Sequence, residues 1–246
     1  MENLPSFFIP VSGMSFVFDA AMLYAMYFIV KSRTKHLSET SSFRYWESFF
    51  LNMAIFLTIM ALPHILLFVA PDKFPPAMNW AFTIGRVFIF LAVSSTARLF
   101  SLFVWKQKAD SIYKIWLFFG ATIFILSFFY PTHTTFDIAT KVTLTEAHPM
   151  IGALIPIYVT ITWLPLAVLF LVSGIKNKQI RTRSLLLAAG LITQMIAGPM
   201  HEYARTAQSF LIADGFTTLS DFLLLLGILY KTGHSQNTTG ESSFNK

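Results

Sequence analysis

Long apolar stretches separated by short polar connections make up almost the whole chain. A helix that crosses a bilayer needs about 20 mostly apolar residues, and seven stretches approach or exceed that length. They cover approximately residues 7–30, 48–70, 78–105, 115–130, 149–173, 184–201 and 208–230. Runs of consecutive apolar residues, such as 223–226, replace the alternation that is typical of a β-barrel strand. The pattern therefore predicts an all-α, polytopic membrane protein with seven transmembrane helices.

The polar connections are too short to hold a separate soluble domain. Residues 131–148 form the longest of them, and a connection of this length often covers a binding site. We therefore predict one transmembrane domain over residues 1–231. Residues 232–246 are rich in Gly, Ser, Asn and Thr, and this composition predicts a disordered cytoplasmic tail.

Lys and Arg are distributed unequally between the two sides of the predicted bundle. Thirteen of them fall in the connections and the tail on the side of the C-terminus, whereas Lys73, Lys141 and Arg205 fall on the other side. In membrane proteins, the cytoplasmic connections carry the excess of Lys and Arg. The distribution therefore predicts an N-terminus outside and a C-terminus in the cytoplasm, in a plasma (inner) membrane.

The composition also indicates a membrane protein, and it excludes several kinds of functional site. Hydrophobic residues make up 55% of the chain and charged residues 12%, against about 25% charged residues in a typical soluble domain. The chain has no Cys, which excludes disulfides, thiolate metal sites and iron–sulfur clusters. The net charge of +6 follows from the basic connections, so we expect the lipid bilayer as a partner and no nucleic acid.

Ionisable side chains inside the apolar stretches are the main candidates for function, because burying them in hydrocarbon is costly. Counted along the helices from the basic connections, His64, His201 and Asp214 lie about 25–30 Å from the inner edge. Arg86 falls near the same layer, and Glu202 borders it. We therefore predict a ligand-binding site near the outer surface, formed by His64, Arg86, His201, Glu202, Asp214 and Asp221.

The last apolar stretch carries a polar face. Asp214, Thr217, Thr218 and Asp221 are spaced at zero, three, four and seven residues, which places them on one side of a helix. This face is expected to line a polar crevice that opens to the outer surface. An alternative is that Asp214 and Asp221 pair with Arg86 or Arg98 and lock the bundle, because buried ions need partners in either case. Asp19 is an equally suitable partner for Arg86.

The two His residues fit several kinds of site. His64 and His201 lie at equal depth beside Pro residues, and two such imidazoles are the axial ligands of a b-type haem. Together with Glu202 and Asp214 they offer nitrogen and oxygen ligands that suit Zn or Cu, although no His-x-x-x-His spacing is present. A third interpretation is that each His forms a hydrogen bond with a neighbouring residue at the membrane interface. No Gly-x-Ser-x-Gly motif is present, so we expect a non-enzymatic role.

Seven spans, an N-terminus outside and about 250 residues resemble the layout of the microbial rhodopsins. Those proteins need a Lys in the seventh span for the retinal Schiff base, and this chain has Asp221 near that position. The resemblance therefore does not imply a retinal pigment. The layout and the basic connection at 176–183 also resemble the seven-helix input modules of bacterial sensors. We expect no output domain after Tyr230, so this second resemblance implies that a signal passes to a separate protein partner.

The leading hypothesis is a membrane binding or sensory protein whose outward-facing polar pocket takes a small ligand from the outer side. A small solute or proton-coupled transporter that uses Asp214 and Asp221 is one alternative. The similarity between residues 25–33 and 167–175 would support it as the trace of an internal repeat. A b-type haem electron carrier is the other alternative.

Overall fold

The computed structural model describes residues 10–35, 42–139, 141–204 and 206–230, and most of them are helical. The helices are α1 (Val11–Thr34), α2 (Ser42–Ala61), α3 (Leu66–Val69), α4 (Phe74–Val104), α5 (Ala109–Phe129), α6 (Pro149–Lys176), α7 (Arg181–Tyr203) and α8 (Ala207–Leu229). Seven helical segments of the described residues are long and apolar enough to span a membrane. The predicted fold class is confirmed, and the protein is a multi-pass membrane protein. The predicted tail over 232–246 lies outside the described residues.

Several helices begin before the apolar stretch that predicts them. Helix α2 starts at Ser42 and α5 at Ala109, each about six residues earlier than the hydropathy pattern indicates. Their first turns contain charged residues such as Arg44 and Asp110. Charged side chains are unfavourable in the hydrocarbon core, but they are compatible with a helix that extends into the membrane interface. Hydropathy therefore gives the membrane-buried part of each helix and not its full length.

Pro63 interrupts the second span. Helix α2 ends at Ala61, and residues Leu62–Ile65 form a 3₁₀ turn before the single turn of α3. Proline has no N–H to donate and its ring clashes with the preceding turn of an α-helix, so the regular hydrogen-bond pattern ends here. The turn leaves His64 buried, with 4% of its surface exposed.

Helices that follow one another in sequence are also neighbours in space. The main contacts join α1 to α2, α2 to α4, α4 to α5 and α6, α6 to α7, and α7 to α8. Helix α1 also touches α8 and closes the ring. Helix α5 packs mainly on α4 and buries few side chains, so most of its surface faces lipid.

The connection between α5 and α6 is folded into a β-hairpin. Strands β1 (His133–Asp137) and β2 (Val142–Glu146) are antiparallel, with His133 opposite Glu146. The hairpin contacts α1, α4 and α7, and the backbone N–H of Val11 donates to the carbonyl of Lys141 over 3.0 Å.

We call the end of the bundle that carries the hairpin the hairpin end. The opposite end, with the Lys- and Arg-rich connections, is called the basic end. The sequence pattern predicts a loop over residues 131–148, and the alternating Thr residues of this segment are the strand signal.

Candidate functional site

A cavity of about 170 Å³ lies beneath β2 at the hairpin end. Helix α6 supplies one wall through residues 155–163, and α1, α2, α4, α7 and α8 supply the others. Most of the lining is apolar, and its aromatic and large aliphatic members include Phe16, Met53, Phe56, Leu57, Met60, Phe82, Ile89, Ile155, Val159, Trp163, Met195 and Phe210. The cavity is suited to a molecule with a mainly apolar body.

Gln194 of α7 is an unusual member of this lining. The side chain is 94% buried, since only 6% of its surface is exposed, and its oxygen has no hydrogen-bond partner among the described residues. Most buried polar groups in proteins are hydrogen-bonded. Gln194 is thus a lining residue of an apolar cavity whose amide oxygen has an unused acceptor position. The predicted site does not include Gln194, although a single amide in the apolar residues 184–201 is a signal of the same kind as an ionisable group.

Arg86 reaches from α4 to the base of the hairpin. Its side chain is 2% exposed and lines the cavity, and its Nη2 donates to the hydroxyl of Thr132 over 2.7 Å.

The other intramembrane arginine, Arg98, forms a salt bridge with Asp110 near the basic end. Of the two arginines that the locking alternative names, Arg98 therefore pairs with Asp110 and not with Asp214 or Asp221.

His64 joins the hairpin to the helices. Its Nε2 lies 2.9 Å from the Thr143 hydroxyl and 3.1 Å from the Ser12 hydroxyl, and these two hydroxyls are 2.9 Å apart. Gly13 leaves room for the ring, because a Cβ at that position would lie 2.8 Å from His64 Cγ. The contacts match the interpretation of this His as a group hydrogen-bonded to its neighbours. His64 itself is not part of the cavity lining.

His201 and Asp214 form a second pair, in which Asp214 is buried and His201 is partly exposed. The Nε2 atom of His201 is 3.3 Å from a carboxylate oxygen of Asp214 and 3.2 Å from the Thr217 hydroxyl. Asp214 also accepts a hydrogen bond from Ser15 of α1. His201 and Thr217 line the cavity, whereas Asp214 lies behind them. The structure thus brings Arg86 and His201 to the cavity and keeps Asp214 one contact away from it.

The remaining carboxylates lie between the first and last helices. Asp19 is 2% exposed and accepts a hydrogen bond from Thr218 over 3.0 Å. Asp221 is fully buried, and neither of its oxygens has a hydrogen-bond partner in the part of the chain that the structure describes. We call the set Ser15, Asp19, Asp214, Thr218 and Asp221 the α1–α8 seam.

The predicted polar face of α8 is therefore divided. Thr217 faces the cavity, and Asp214 and Thr218 contact α1. This division explains why the cavity is mainly apolar, where the sequence predicts a polar crevice. The side chain of Glu202 lies outside the described residues.

The residues do not fit a b-type haem. The Nε2 atom of each His is already hydrogen-bonded, and two phenyl rings lie between the imidazoles. The ring centroids are 5.8 Å apart for His64 and Phe16, 6.0 Å for Phe16 and Phe210, and 5.2 Å for Phe210 and His201. Axial imidazoles must instead face each other across one iron.

The Zn or Cu alternative finds similarly little support. Within the described ranges, no group of three or more His, Asp or Glu is placed to hold a metal ion. Of the four ligands expected from the sequence, the structure brings His201 and Asp214 together.

Comparison of the chain with models of protein families, with curated proteins and with solved structures finds no match. The function is therefore argued from the cavity and from the contacts around it.

Proposed function

We propose that this protein is a membrane-embedded binding protein of sensory type for a small amphipathic molecule. The ligand occupies the cavity beneath the hairpin, with an apolar body between α2, α4 and α6 and a hydrogen-bond donor directed at Gln194. The observation that carries the proposal is the amide of Gln194, a residue of the cavity lining whose buried oxygen lacks a hydrogen-bond partner among the described residues. Leaving such a group unsatisfied costs about 1–3 kcal/mol, so a donor inside the cavity is favoured.

The size of the cavity sets the size of the ligand. An engineered cavity of about 150 Å³ in another protein binds benzene, and this one measures about 170 Å³. A substituted phenol combines a body of that size with one hydroxyl donor. Such a molecule satisfies Gln194 and keeps its ring against Trp163 and the other apolar residues of the lining.

The position of the cavity supports a sensory role. The positive-inside rule assigns the hairpin end to the outer side of a plasma (inner) membrane, so we infer that the ligand arrives from that side. Thr143 and Thr145 of β2 line the cavity, and Thr143 also contacts His64. A bound ligand therefore touches the same strand that holds the hairpin to the helices. We infer that ligand binding alters the contact between the hairpin and the helices, and that a separate protein partner responds to this alteration.

Trp163 offers a direct test, because it lines the cavity and its fluorescence is quenched by a nearby bromine atom. Purified protein in lipid nanodiscs is titrated with 4-bromophenol and with bromobenzene, which lacks the hydroxyl. We expect saturable quenching by 4-bromophenol over a linear background from partitioning into lipid. The saturable part is expected to disappear in Trp163→Phe.

Gln194→Leu tests the hydrogen bond itself. We expect 4-bromophenol to bind about tenfold more weakly to this variant, which corresponds to the loss of about 1.4 kcal/mol, while bromobenzene binds at least as well as before. Thr193→Val is the matched control, because the Thr193 hydroxyl is exposed and bonds to the carbonyl of Ala189 in its own helix. Quenching that does not saturate in the wild type, or that is unchanged in Trp163→Phe, would contradict the proposal.

A further inference from the structure

The α1–α8 seam has a regular geometry. Ser15 and Asp19 lie one turn apart on α1, and Asp214, Thr218 and Asp221 lie on successive turns of α8. Ser15 donates to Asp214, and one turn deeper Thr218 donates to Asp19. Asp221 follows Thr218 by three residues on the same face, so its carboxyl group lies on the side of α8 that faces Asp19.

Asp221 is the exception in this seam. The other four residues form the hydrogen bonds just described, whereas both oxygens of Asp221 lack a partner among the described residues. None of its surface is exposed, even before a membrane is added around the protein. A carboxylate in such a place is strongly disfavoured unless a cation or a proton neutralises it.

Among the described residues, basic side chains of the helices next to Asp221 form contacts elsewhere. On α1, the facing acidic group is Asp19, and Lys31 lies about 18 Å further along the helix with its ammonium donating to Tyr27. On α7, His201 contacts Asp214 near the hairpin end, and the guanidinium of Arg183 lies over the ring of Phe43.

On α8 itself, Asp214 lies two turns away towards the hairpin end and carries the same kind of charge. The groups that face Asp221 would therefore repel its negative charge instead of balancing it.

We infer that Asp19 and Asp221 together bind one proton inside the bundle. The proton comes from water and forms an O–H bond on Asp221, and this O–H group donates to the carboxylate of Asp19. The second acceptor position of Asp19 remains with the Thr218 hydroxyl. One negative charge is then shared by two carboxyl groups and stabilised by two hydrogen bonds.

The geometry favours a proton over a metal cation. Cation sites inside transporters use backbone carbonyls from unwound parts of helices, whereas α1 and α8 are continuous at Asp19 and Asp221. Their carbonyls there are used within the helices. Asp19, Asp221 and Thr218 then offer two carboxyl groups and one hydroxyl, which is a small set for an ion that prefers six or more oxygens.

This site goes beyond ligand binding in the cavity, because neither Asp19 nor Asp221 lines it. A proton site in the membrane interior is a basic requirement of proton-coupled transport, the alternative function that the sequence suggests. The seam also closes the ring of helices between α1 and α8. Loss of the proton would leave two facing negative charges there and weaken that contact.

Infrared spectroscopy of the full protein in nanodiscs at pH 7 tests the site, because a protonated carboxyl group has a C=O stretch that a carboxylate lacks. We expect this band in the wild type, with the small shift that exchange into D₂O produces. In Asp221→Asn and in Asp19→Asn the band should move or disappear, and in the double variant it should be absent. Asp72→Asn is the control with an exposed side chain, and it should leave the band unchanged.

Two results would overturn the inference. One is a wild-type spectrum without this band, or a band that survives in the double variant. The other is a thermal midpoint that rises with Na⁺ at constant ionic strength in the wild type and not in Asp221→Asn, since a metal cation would then occupy the pair. The wild-type band and its isotope shift need no variant, so the inference stays testable if a substitution prevents folding. Neither measurement depends on the cavity ligand.

Discussion

Thr143 contacts residues that are far apart in the chain. Its hydroxyl lies 2.9 Å from both Ser12 of α1 and the Nε2 atom of His64. These three groups are buried, so each depends on the others for its hydrogen bonds. At the scale of single residues, the attachment of the hairpin thus depends on a few hydroxyl groups.

Thr143→Val removes this hydroxyl and keeps the β-branched shape of the side chain. We expect the free energy that holds the hairpin to the helices to fall by about 1–3 kcal/mol, because the buried side chains of His64 and Ser12 lose the Thr143 hydroxyl as a hydrogen-bond partner. The hairpin should then open more often, so amide hydrogen exchange over residues 133–146 should be faster than in the wild type. Thr135→Val is the matched control, because Thr135 is exposed on β1. Equal exchange rates in both variants would show that the contact does not hold the hairpin.

At the scale of helices, two glycines determine how closely α7 and α8 approach. A Cβ on Gly190 would lie 2.8 Å from the Leu224 side chain, and one on Gly227 would lie 2.8 Å from the Leu187 side chain. Small residues allow such close contact between helices in membranes, where packing rather than the hydrophobic effect drives association. The Ser220 hydroxyl adds a hydrogen bond to the carbonyl of Gly190 over 2.9 Å.

Gly227→Ala should therefore separate the two helices. We expect destabilisation of about 1–3 kcal/mol, the usual cost of overpacking, measured as a lower thermal midpoint in the same detergent or lipid. Gly215→Ala is the control on the same helix, because a Cβ there meets nothing within 4 Å. It should be neutral or slightly stabilising, since Ala has the higher helix propensity. A similar decrease of the thermal midpoint in both variants would mean that packing at Gly227 does not cause the destabilisation.

The sequence predicts the helices better than it predicts their polar contacts. Hydropathy finds each span, because about 20 apolar residues are a local property of the chain. The contact of Asp214 with Ser15 joins residues 199 positions apart and depends on which faces of α1 and α8 meet. Counting residues along the helices places His201 and Asp214 in one layer, and the two side chains are in contact. Gln194 was missed because an uncharged amide becomes informative when its lack of a partner is seen.

At the scale of the whole molecule, the orientation in the membrane stays a prediction, and the chain is well suited to test it. The native sequence has no Cys, so a single introduced thiol reports its own side of the membrane. Thr135→Cys on the hairpin and Gln107→Cys at the basic end both replace exposed residues. If the excess of Lys and Arg sets the orientation, a membrane-impermeant maleimide should label position 135 in intact cells. Position 107 should react after the cells are opened, and the reverse pattern would place the hairpin, and with it the mouth of the proposed site, in the cytoplasm.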